Sequence, residues 1–218
     1  MTVQSVILKA ERMPEKKRER RDPELRRAEI LKAALACFAE RGFAATRMED
    51  VATRAGIAKG TVYLHFPDKE RLFIELVSGI ASPILGEVGG MIQNETIPAR
   101  TVVSMFYSLF KREVLETERR HMLRLILAEG PMFPVVTEFY YREIITKGLA
   151  ILRVVLGRAA ARGELLNPAV AEVPQLVMAP ALMTVVWATL FEGYEHLDAQ
   201  KLLDTFLNTL FVPEGGAR

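Results

Sequence analysis

The sequence predicts an all-α protein, with an N-terminal three-helix helix-turn-helix head on a larger helical body. Three observations carry that expectation. Apolar residues recur at three- and four-residue spacing through most of the chain. Gly, Pro and Asp fall between those runs, where helices should break. No stretch stands out with the apolar–polar alternation of a half-buried strand.

Residues 1–21 hold seven Lys/Arg and three Glu with no sustained apolar period, and read as a basic flexible arm. Asp22-Pro23 then opens the first clear helix, Asp as cap and Pro at the first helical position. Ile30, Leu31, Ala34, Leu35 and Phe38 form its apolar stripe, and Gly42 ends it. Thr46 and Glu49 make a T-x-x-E capping box for a short second helix, with Met48, Val51, Ala52 and Ala55 on one face. Gly56 supplies the left-handed residue of a tight turn, and Ile57 plugs its corner. In the next segment Val62 and Phe66 point to the core, leaving Lys59, Gly60, Thr61, Tyr63 and His65 for other work. Two short helices joined in this way are a device for laying a helix in the DNA major groove.

The composition of that surface agrees. Lys59, Lys69 and Arg71 can neutralise phosphates, Thr61, Tyr63 and His65 can donate to phosphate oxygens, and Gly60 permits close backbone approach. Residues 56–66 contain no acid, which favours a polyanionic partner. Residues 1–75 carry 16 Lys/Arg against 12 Asp/Glu, a net of +4, whereas 76–218 carry 13 against 15, a net of −2. A basic head on a near-neutral body fits the same reading.

Helix one, the capping box and the run G-I-A-K-G-T-V-Y-L-H-F-P-D-K-E-R-L-F resemble the DNA-binding domain of the TetR family of transcriptional regulators, over roughly residues 24–75. By that resemblance the DNA contacts fall on Thr46, Lys59, Gly60, Thr61, Tyr63, His65 and Lys69. There are two departures. Ala58 stands where the family usually has Ser or Thr, so the recognition helix lacks a side-chain cap. Leu64 replaces an aromatic or polar residue, and can offer an apolar contact to a thymine methyl. The domain plan is then 22–68 for the head, 69–213 for a ligand-binding and dimerisation body, and 214–218 for a frayed tail.

Pro67-Asp68 starts a fourth helix through about Leu85, which joins head to body. Pro98 starts another carrying Val102, Phe106, Leu109 and Phe110, and Glu118 to Glu129 makes a shorter one, stopped by Gly130-Pro131. A long helix spans about Pro134 to Ala161, and Arg162-Gly163-Glu164-Leu165 breaks it. Pro168 opens a helix to about Phe191, and Lys201 to Phe211 is the last. The last two helices are apolar on more than one face, which requires cover on both sides and points to a homodimer. The resemblance implies the same interface, and a two-fold dimer suits a palindromic operator.

The body is rich in Phe, Met and Tyr, types that adapt to irregular apolar molecules, although core packing accounts for most of them. The expected ligand-binding residues are Phe106, Phe110, Phe139, Met178, Met183 and Trp187, with His121 and Arg124 offering charge or hydrogen bonds. The resemblance implies a repressor released from DNA by a small apolar or aromatic effector, with the fourth helix as relay. An all-helical scaffold or adaptor without a DNA role is the alternative.

Other classes fare poorly. There is no Gly-rich phosphate loop or nucleophile elbow, so no enzyme and no cofactor are expected. One cysteine, Cys37, and three scattered histidines give no metal-ligand spacing and no intrachain disulfide. The longest apolar run, Leu176 to Phe191, contains Pro180 and falls short of the ~20 residues a spanning helix wants. A cytoplasmic protein without membrane association is expected.

Overall fold

The computed structural model describes residues 22–213, so the basic arm and the tail lie outside the described residues. Among the described residues ten α-helices follow one another, and the only extended pairing is an isolated antiparallel bridge between Leu165 and Phe211. The head comprises α1 (Pro23–Ala45), α2 (Met48–Ala55) and α3 (Lys59–His65). Asp22 caps α1 by accepting from the Glu24 amide at 3.0 Å. Gly42, at φ 82° and ψ 168°, breaks the helix in its last turn. Gly56 is left-handed, and the turn to α3 closes as Ile57 N–H donates to Ala52 O at 3.0 Å.

The cap of α2 differs from the sequence expectation. Thr46 is 1% exposed, and its hydroxyl donates backward to Gly42 O at 2.7 Å and Cys37 O at 3.2 Å. The chain needs that hydroxyl to close the broken end of α1. The capping position therefore moves to Arg47, whose amide donates to Asp50 Oδ2 at 2.9 Å. Glu49, freed from the cap, turns to Lys59 instead. Ala58 caps α3 without any side-chain hydrogen bond, as its missing hydroxyl requires.

Helix α4 (Lys69–Met91) starts at Asp68, which accepts from Arg71 N at 2.6 Å, and runs past the expected Leu85. Among the described residues it alone has the length and apolar composition to cross a bilayer. Its apolar residues are used differently: Leu72, Phe73, Leu76 and Val77 enter the head core, and Ile84 and Val88 the body core. The body continues with α5 (Ala99–Phe110), α6 (Arg120–Glu129), α7 (Pro134–Tyr140), α8 (Thr146–Ala161), α9 (Ala179–Leu190) and α10 (Ala199–Leu210). A π-helical turn, Lys111–Leu115, extends α5, and another, Tyr141–Ile145, joins α7 to α8.

The helix expected from Pro168 to Phe191 is not continuous. Pro168–Glu172 and Pro174–Met178 are separate 3₁₀ turns, and only Ala179–Leu190 is α-helical. Proline lacks an amide proton and disfavours the helical conformation of the residue before it, and Val173 accordingly sits at φ −126°, ψ 66°.

The head does not close its own core. Phe38, Phe43 and Phe73 meet edge-on or tilted with ring centroids 5.0–5.5 Å apart, and Phe133 from the body packs on Phe43 at 4.5 Å. Met122 and Leu125 of α6 and Val136 of α7 are buried in the same cluster. A boundary at residue 68 therefore divides the chain by sequence, while the core runs across it.

Candidate functional site

Helix α3 projects from the head with one buried residue, Val62, holding it to the core. Lys59, Gly60, Tyr63 and Leu64 are exposed, Thr61 and His65 are half-buried, and Leu64 at 85% is nearly free of neighbours. A Cβ on Gly60 would meet nothing within 4 Å in the isolated chain, so its small size leaves room for a partner. Lys59 ion-pairs with Glu49 of α2 and lies 5.9 Å from the Tyr63 ring. The hydrogen bond to Lys59 holds the Glu49 carboxyl below its usual range and raises the Lys59 ammonium. The surface is thus less basic than residues 56–66 suggest by themselves.

Two of the seven expected DNA contacts are engaged within the protein, one buried and one half-buried. Thr46 is the buried hydroxyl described above and cannot reach a phosphate. Lys69 Nζ donates to Phe43 O at 2.7 Å and Ala44 O at 3.0 Å, and sits 4.5 Å from the Phe43 ring centroid. Burial lowers its pKa. Both residues shape the loop between α1 and α2, and Lys59, Gly60, Thr61, Tyr63 and His65 remain on the α3 surface. In the sequence Glu49 reads as a capping residue, and only the fold brings it to Lys59.

That same loop is gripped from the body. Glu129, at the end of α6, accepts from Phe43 N at 3.0 Å and Ala44 N at 2.7 Å. Arg124, one turn earlier, donates through Nη2 to Ala39 O at 2.9 Å, while its Nε is buried without a partner. Nothing local in the sequence marks Glu129 as an anchor, because its partner Phe43 lies 86 residues away.

A cavity of about 290 Å³ opens in the body between α4, α5, α6, the α7–α8 joint and the start of α9. Of the eight expected ligand residues it brings together Phe106, Phe110 and Met178. The other five lie elsewhere. His121 pairs with Glu118 at 3.2 Å, and burial lowers its pKa. Arg124 faces α1. Trp187 Nε1 donates to Glu195 O at 2.7 Å, and its ring packs on Phe191. Met183 is 47% exposed, and Phe139 is half-buried outside the wall. On a helix, a shift of one residue turns a side chain by about 100°, so composition could not say which face lines the space.

The wall also holds residues that were not anticipated: Ile80 and Ile84 of α4, Leu123 and Ile126 of α6, Tyr140, Arg119 and Gln175. Both π-helical turns border it, through Val114 and through Ile144 and Ile145. π-helical turns are rare and concentrate at functional sites.

Residues 30–76 match the family model described as bacterial regulatory proteins, tetR family. Over 86 residues the chain is 35% identical to the HTH-type transcriptional repressor KstR2 of Mycobacterium tuberculosis, a match covering 39% of this chain and 43% of that protein. It thus spans less than half the length of this relative. A longer match, 27% identical over 199 residues, covers 86% of this chain and 87% of the probable acrEF/envCD operon repressor of Escherichia coli. Among solved structures, the SmeT–triclosan complex superposes with a TM-score of 0.70 at 24% identity, covering 88% of this chain and 93% of that one. A helix-turn-helix head, an all-helical body and these matches agree: residues 30–76 match the tetR family of bacterial regulatory proteins, and over most of its length the chain is similar to a bacterial operon repressor.

Proposed function

We propose that this protein is a cytoplasmic, effector-responsive transcriptional repressor that binds a palindromic operator as a homodimer. One observation supports the coupling of its two ends: the same helices serve both. Helix α6 buries Met122 and Leu125 in the head core, lines the cavity with Leu123 and Ile126, and holds the α1–α2 loop through Glu129. Helix α4 does likewise with Phe73 and Leu76 on the head side and Ile80 and Ile84 on the cavity wall. A molecule that reshapes the cavity must move helices that the head is built on.

In this reading α3 enters the major groove, where Lys59, Thr61, Tyr63 and His65 meet backbone or base edges and Leu64 offers an apolar contact. Two such heads at ~34–36 Å, or a multiple, span successive half-sites. The partner copy covers α9, where Leu182, Met183 and Leu190 are exposed in the single chain. An apolar effector favours the conformer that the operator does not. By linkage the operator then weakens the effector by the same factor. Triclosan in SmeT and this chain's membership of the same fold agree with an apolar occupant.

The test is titration of the purified protein into a labelled duplex from just upstream of its own gene, beside a random duplex, at two salt concentrations. Tight binding of one dimer to the first and weak, salt-sensitive binding to the second is expected. Absence of binding to either at low salt would refute the proposal and favour a helical scaffold.

A further inference from the structure

The cavity wall has a particular charge balance. Among the described residues it contains no acid, and Arg119 is the one charged residue on it. That guanidinium is not free, because Nη1 donates to Glu113 Oε2 at 2.9 Å. Glu113 also accepts from Arg112 Nε at 2.9 Å, and Arg112 Nη2 lies 3.9 Å from Glu87 Oε1. Two guanidinia face two carboxylates, so the group is neutral as a whole.

An anion entering this space meets a cation already balanced by Glu113, and a cation meets no carboxylate on the wall among the described residues, Glu113 being held by Arg119 and Arg112. Either would shed its hydration against a wall built almost entirely from Val, Ile, Leu, Phe and Met, a cost recovered only by a partner charge. A neutral molecule avoids that cost. Its orientation then depends on the few polar groups present. Tyr140, where α7 passes into the π-helical turn Tyr141–Ile145, is on the wall, and its hydroxyl has no hydrogen-bond partner among the described residues. Burial pushes its pKa up to about 12, so the hydroxyl stays protonated and can donate.

We propose that the cavity selects a neutral, largely apolar effector carrying one hydrogen-bond acceptor, which the Tyr140 hydroxyl meets. The proposal rests on the effector-responsive reading above and adds the chemistry of the molecule. A fatty acid anion or a quaternary ammonium compound is thereby disfavoured, even though the apolar tail of each would fit the wall.

The test uses three molecules sharing one ten-carbon chain: decanol, decanoate and decyltrimethylammonium, each below its micellar concentration. Each displaces the fluorescent probe N-phenylnaphthylamine from the full-length protein, while anisotropy of a labelled operator duplex is followed in parallel. Decanol is expected to displace the probe at concentrations at least about tenfold below either charged homologue, the margin set by the desolvation of charge. The conservative Tyr140→Phe variant should still bind the probe but lose about fivefold in decanol affinity, with the charged pair unchanged. Decanoate or decyltrimethylammonium ranking first would overturn the proposal, as would equal decanol affinity in Y140F. Failure of all three to displace the probe would overturn it too. Decanoate ranking first while still releasing the duplex would remove the neutral-effector assignment and leave the regulator standing. Decanol binding with the duplex still held would instead count against the regulator reading.

Discussion

The junction between Gly42 and Glu129 yields a quantitative prediction. Gly42 occupies φ 82°, ψ 168°, a region open essentially to glycine alone, where another residue costs roughly 1–3 kcal/mol. A Cβ there would also lie 2.5 Å from Glu129 Oε1. A carboxylate at the end of a flexible side chain could ordinarily step aside. This one is pinned by the amides of Phe43 and Ala44, so stepping aside breaks both hydrogen bonds. Bonds to a charged acceptor contribute about 1.5–3 kcal/mol each when buried, and the Ala44 bond is exposed, so the pair together is taken as about 2 kcal/mol. Gly42→Ala alone should therefore cost about 3–5 kcal/mol, strain plus lost bonds, and Glu129→Ala alone about 2 kcal/mol. In the double variant the bonds are already gone, so adding Gly42→Ala costs only the strain. The two substitutions should be less than additive by about 2 kcal/mol. Equilibrium urea unfolding of the four proteins at one fixed protomer concentration measures this, since stability of an oligomer depends on concentration. If Gly42→Ala costs the same in both backgrounds to within ~0.5 kcal/mol, the carboxylate does not hold the loop.

Three further predictions concern the surfaces and the single thiol. Because Glu49 occupies Lys59 in the free protein, Glu49→Gln should tighten operator binding, whereas Lys59→Ala should weaken it and make the salt slope shallower by about one unit, both read by anisotropy across a salt series. Met183→Glu and Leu190→Glu, at positions 47% and 59% exposed in the single chain, should shift sedimentation toward monomer and weaken operator binding; a dimer that survives both would move the interface away from α9. Cys37 is 2% exposed, and burial holds its thiol pKa above the ordinary value, so iodoacetamide should label the native protein far more slowly than the urea-unfolded chain near neutral pH. Equal rates would show that the first helix opens freely.

Features under local chemical control are legible in the chain alone. Asp22-Pro23, Gly56 and Asp68 set helix ends through their own side chains or backbone freedom, and each acts there in the structure. Apolar spacing likewise identified an all-helical chain and the buried residues Ile30, Phe38, Val62 and Phe66. Where local signals competed, long-range packing chose between them. Thr46 had a partner for a cap in sequence, but the end of α1 bound its hydroxyl more usefully, and three prolines outweighed the apolar period between Pro168 and Pro180. Lys59 and Lys69 read as free cations until the fold supplied Glu49 to one and the carbonyls of the α1–α2 loop to the other. The cavity, its neutral arginine–glutamate group and the Glu129 anchor depend on which faces of distant helices meet. Helical periodicity fixes that a face is apolar, and only packing against neighbours fixes what that face looks upon.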